Sequence, residues 1–137
     1  MDIKKICTGG IAAGIVLLIL MAAFSFLVSL VLPTDMSQYG GMRAMDDPVM
    51  NLFYLYPFVI GFAAAFVFDL VRDCLEGSTI VCGLKYGMIL ICLMTIPSLF
   101  VMVTSMTWPL DFYISTGLWE IVTFPLVGLL FVRIWKL

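Results

Sequence analysis

Four apolar stretches, Gly9–Leu32, Val49–Val71, Thr79–Met106 and Phe112–Trp135, take up most of the 137 residues. At a rise of about 1.5 Å per residue, each is long enough to cross roughly 30 Å of hydrocarbon as a helix. The third has length to spare for tilt. Backbone N–H and C=O groups in lipid must find partners within their own segment, and runs this long and continuous are unsuited to barrel strands. The expectation is an all-α chain: a four-helix transmembrane bundle, up-down-up-down, forming a single integral membrane domain over residues 1–137.

Composition agrees with that expectation and narrows the function classes. The chain is 64% hydrophobic and 12% charged, with a mean hydropathy of +1.18, whereas soluble domains are about half apolar and a quarter charged. With four spans placed, no length remains for a separate soluble domain. A net charge of −2 with no basic run argues against a nucleic-acid partner. Histidine is absent, which removes the commonest metal ligand and the commonest general base at neutral pH. The first apolar run follows Lys4 and Lys5 but is about twice the length of a secretory signal core, so it reads as a retained span.

Local signals punctuate the spans. Pro33 closes the first helix, and Asp47 or its neighbour, with Pro48 in the first turn, starts the second. Gly77 and Ser78 read as a turn and an N-cap for the third. The link Trp108–Asp111 leads into the fourth, with Trp108 at the interface. Four crossings put both termini and the 71–78 loop on one side. That side carries Lys4, Lys5, Arg72, Lys85, Arg133 and Lys136, and the other carries only Arg43. The positive-inside rule then makes both termini cytoplasmic, in the plasma membrane of a prokaryote.

Glu120 is the residue that this scheme makes conspicuous. It lies about 12 Å into the fourth helix, where an ionised side chain costs about 2.5 kcal/mol or more, so it is expected to face the bundle. Thr116 and Thr123 share its helical stripe. Thr95 and Ser98 of the third span and Tyr56 of the second come to nearly the same depth, giving a candidate intramembrane polar cluster. Pro57, Pro97 and Pro125 each interrupt a span, and each is expected to free the carbonyl four residues earlier, those of Phe53, Leu93 and Ile121. Two readings stay open: a structural carboxyl held by hydroxyls, or a proton, cation or substrate site. Nearer the inner face, Asp69 and Lys85 form a possible charge pair, with snorkelling of Lys85 to the headgroups as its alternative.

Small residues mark where helices approach closely. Gly10 and Gly14 of the first span and Gly83 and Gly87 of the third are four apart at the inner ends and could pack on each other. Gly61 adds a third close-approach position. Cys7, Cys74, Cys82 and Cys92 contain no Cys-x-x-Cys and read as small apolar residues. Met36, Met42, Met45, Met50, Met102 and Met106 gather toward the outer side, which makes Cu(I) handling a minor possibility, since thioethers suit that ion. The residues otherwise imply no cofactor.

The GLKYG entry to the third helix, Pro97 within it, the Pro109-Leu110-Asp111 link and the Trp119–Glu120 pair carry a resemblance. On these motifs the second half of the chain resembles small four-span prokaryotic integral membrane proteins that have no assigned activity. The resemblance implies a multi-pass membrane fold and transfers no site residues. From the residues themselves, a structural or accessory membrane protein is expected. It would sit in lipid and contact copies of itself or a partner membrane protein. The alternative is an oligomeric proton, cation or small-solute transporter or channel subunit using Glu120. An enzyme is not expected, for want of a catalytic constellation.

Overall fold

In the computed structural model, residues 2–31, 40, 43 and 46–136 are described. All secondary structure among them is helical. The elements are α1 (Ile3–Val31), a 3-10 segment (Pro48–Leu55) leading into α2 (Tyr56–Val71), a 3-10 turn (Arg72–Cys74), α3 (Thr79–Leu90), a π-helical turn (Ile91–Thr95), α4 (Ile96–Ser105) and α5 (Leu110–Trp135). The π turn joins α3 and α4 into one continuous length. Four helical lengths are therefore long and apolar enough to cross a membrane: Ile3–Val31, Pro48–Cys74, Thr79–Ser105 and Leu110–Trp135.

The boundaries follow from capping chemistry. α1 begins six residues before the apolar run because Asp2 caps it: the Lys5 N–H donates to Asp2 Oδ1 at 3.2 Å. The basic start is thus helical and not a leader to the helix. The expected end at Leu32–Pro33 lies outside the described residues. Asp47 caps the 3-10 segment, accepting from the Val49 N–H at 2.9 Å and from Arg43 Nη1 at 2.9 Å. The Val49 N–H and the Arg43 guanidinium hold its carboxyl below the usual carboxylate range. Ser78 caps α3 by accepting from the Val81 N–H, and Gly77 before it takes φ +130°, a conformation side chains rarely tolerate.

The three prolines act at changes of helical type as much as at kinks. Pro57 stands where the 3-10 segment becomes α2, and the Phe53 carbonyl expected to be free accepts from the Tyr56 N–H. A register change there coincides with an N–H that proline lacks in any case. Pro97 lies in the first turn of α4, directly after the π turn, where its missing N–H is again harmless. Pro125 alone sits inside a helix.

Packing is concentrated toward one end. Phe68 of α2, Tyr86 of α3, and Phe131 and Trp135 of α5 form an aromatic core, with ring centroids of Phe68 to the other three at 4.9, 5.5 and 5.2 Å. Gly9 brings α1 against Trp135 and Phe131 of the same core. The Tyr86 hydroxyl donates to the Ala64 carbonyl, satisfying the polar tip inside the apolar cluster. α5 is the hub, meeting α1, α3 and α4.

Glycines set the close approaches, with partners other than those expected. Gly10 and Gly14 lie against Phe62 and Phe58 of α2, and Gly61 of α2 approaches the Gly10 carbonyl. Gly83 and Gly87 lie against Leu129 and Pro125 of α5, where Gly128 faces them. The two glycine pairs therefore do not meet. Each small-xxx-small face meets a face with its own glycine, and that lets the backbones come nearer than two one-sided notches would allow.

Candidate functional site

Two groups of buried polar side chains stand out, one at the packed end and one nearer mid-span. At the packed end Asp69 is 6% exposed. Its Oδ1 accepts from Trp135 Nε1 at 2.9 Å, its Oδ2 accepts from the Asp2 N–H at 3.1 Å, and Arg72 Nη1 approaches Oδ1 at 3.5 Å. This carboxylate ties the start of α1, the end of α2 and the end of α5. Lys85 is not its partner. Lys85 lies on the exposed face of α3 and Nζ donates to the Glu76 carbonyl at 2.7 Å. Bringing the ammonium to Asp69 would strip its water in a pocket already filled by an indole.

Trp135 is the member that sequence reasoning missed. The signal available was chemical: an acid this deep needs a donor, and Trp135 ends the last span at the same level. Nothing local links positions 66 residues apart.

The second group surrounds Glu120, which is 5% exposed. Of the residues placed with it by depth, Thr95 and Thr123 are buried, Thr116 and Ser98 half-buried, and Tyr56 exposed. The Thr116 and Thr123 hydroxyls do not turn to the carboxyl. They donate to the Phe112 and Trp119 carbonyls of their own helix at 2.9 and 2.8 Å. Thr95 belongs to the π turn, which packs against the helix that carries Glu120. Yet Thr95 Oγ1 and Glu120 Oε2 are both buried with no hydrogen-bond partner, as is Trp119 Nε1. Trp119 is a further residue that the stripe argument passed over, since it lies one position off that face.

Beyond Glu120, α4 and α5 diverge. An open groove of about 330 Å³ lies between them, lined by Leu99 and Val103 on one side and Tyr113, Gly117 and Ile121 on the other. Tyr113 shows it only a ring, because its hydroxyl donates to the Met106 carbonyl and accepts the Trp108 N–H. Met102 is half-buried and Met106 exposed at that end. Met50 is half-buried in the 3-10 segment, and Met36, Met42 and Met45, the rest of the candidate Cu(I) set, lie outside the described residues.

No protein-family model, curated protein or solved structure matches the chain.

Proposed function

We propose that the protein is a small multi-pass membrane protein of structural or accessory type. In this reading it crosses the cytoplasmic membrane of a prokaryote four times, up-down-up-down, with both termini inside. The opposed registers of its two close pairs support that order: Gly10 and Gly14 meet Phe62 and Phe58, and Gly83 and Gly87 meet Leu129 and Pro125. Its short links and lipid-facing helices suit contact with a partner membrane protein or another copy of itself. The observation that carries the reading is the use made of buried polar groups. Asp69 with Trp135 and Tyr86 with Ala64 fasten helix to helix, which is what a scaffold needs and a translocation path does not.

Glu120 favours a second reading, a subunit of an oligomeric proton or cation transporter, because its Oε2 is buried without a partner. Reconstitution in liposomes separates the two. Wild type is expected to conduct neither protons nor monovalent cations above empty vesicles. Flux that disappears in Glu120→Gln while fold and oligomer size persist would establish the transporter instead.

A further inference from the structure

Thr95 closes the π turn, and its hydroxyl is buried without a hydrogen-bond partner. Thr8, Thr104, Thr116 and Thr123 each return their hydroxyl to a carbonyl three or four residues back, as threonines in helices commonly do. Thr95 does not. Its carbonyl four back is that of Ile91, and across the π turn this oxygen accepts from the Ile96 N–H. Thr95 is also the only buried residue of the turn. The extra residue of a π turn costs regular hydrogen bonding and is found most often where a side chain must be presented. Here its one buried side chain is a threonine whose hydroxyl, like Glu120 Oε2, has no hydrogen-bond partner.

We propose that Glu120 and Thr95 form an intramembrane proton-binding site, with one proton held between Glu120 Oε2 and Thr95 Oγ1. The proton arrives from hydronium and leaves water behind, converting the carboxylate to the neutral acid, with the hydroxyl oxygen as acceptor. Two oxygens suffice for this. A hard metal ion would need about six or more oxygen ligands, and the pair offers three oxygen atoms between its two side chains.

The surroundings provide no competing charge. α2 contributes Tyr56 at its start and Asp69, held by Trp135, near its other end. α3 contributes Tyr86, whose hydroxyl is engaged by Ala64, Lys85, which is turned to Glu76, and Cys82, whose thiol lies on the Leu75 carbonyl. The π turn carries Cys92, which is exposed. α4 has no titratable residue, and those of α1 end at Cys7. On α5 itself the other charged residues, Asp111 and Arg133, lie two turns or more away. The site goes beyond the accessory role and does not depend on it: a proton held with no flux leaves that role standing.

The test uses the fact that Glu76 and Glu120 are the two glutamates of the chain. Glu76 is exposed in the turn before α3, so full-length Glu76→Gln, labelled with carboxyl-13C glutamate in phosphatidylcholine vesicles, reports Glu120 alone. The expected result is a signal at the protonated-acid position at pH 7, displaced by Thr95→Val and restored by Thr95→Ser. The same signal should show an isotope shift in deuterated water, a reading that needs no substitution at Thr95. A carboxylate signal at pH 7 would overturn the proposal. So would an acid signal indifferent to Thr95→Val.

Discussion

A carboxylate buried near the end of a helix is tolerable only where donors replace water, and among the described residues Asp69 has three. The indole N–H of Trp135 and the backbone N–H of Asp2 come from other helices, and Arg72 comes from the turn after its own. Trp135→Phe keeps an aromatic ring against Phe68 and removes the donor together with part of the indole that packs beside Gly9. A hydrogen bond to a charged acceptor contributes about 1.5–3 kcal/mol, and an orphaned buried oxygen retains its desolvation cost. Trp135→Phe is therefore expected to lower the unfolding midpoint in detergent micelles. Asp69→Asn added to it should cost less than the sum of the two single changes. Additivity would mean that the contact carries no coupling.

Among the elements, the sequence discloses where helices begin and which faces admit close approach, but not which faces meet. Asp47 and Ser78 were readable as caps because capping depends on residues two or three positions apart. Gly10, Gly14, Gly83 and Gly87 were readable as notches. Their partners were not, since a notch states how near a neighbour can come and is silent on which neighbour comes. The π turn left no pattern of its own beside Pro97, and the Asp69–Trp135 contact spans 66 positions. For Glu120 the burial was legible from cost alone, whereas the fate of each threonine hydroxyl depends on local helical type.

The notches differ in what a methyl group would strike. A Cβ on Gly87 would lie 2.5 Å from Pro125 Cα, and one on Gly10 would lie 2.5 Å from Phe62 Cδ1. Equal distances hide unequal costs, because backbone cannot yield while the half-exposed Phe62 ring can rotate toward lipid. Gly87→Ala is expected to destabilise the bundle by about 1–3 kcal/mol through overpacking. In Gly10→Ala a helix-propensity gain of about 1 kcal/mol offsets the cost of moving the ring. Unfolding of both variants in micelles checks the order, and equal losses would refute the distinction.

At the scale of the molecule, packing and charge point to the same end. α1 buries nothing beyond Leu17, and α4 buries nothing at all, while the aromatic core and Asp69 lie by the termini. That end also carries most of the positive charge, so the proposed orientation puts the tight end of the bundle at the cytoplasmic face. The native cysteines can test it. Cys7 and Cys74 are exposed at the packed end of the bundle, and Cys82 is buried with its thiol on the Leu75 carbonyl. A membrane-impermeant maleimide should label Cys7 and Cys74 in inverted vesicles and neither in right-side-out ones. Thr107→Cys, in the link before α5, should show the opposite pattern. Reversal of all three would invert the orientation while keeping four crossings. Labelling of Cys7 and Cys74 from opposite faces would break the first hairpin, because a chain that enters by α1 and returns by α2 must bring those two thiols to the same side.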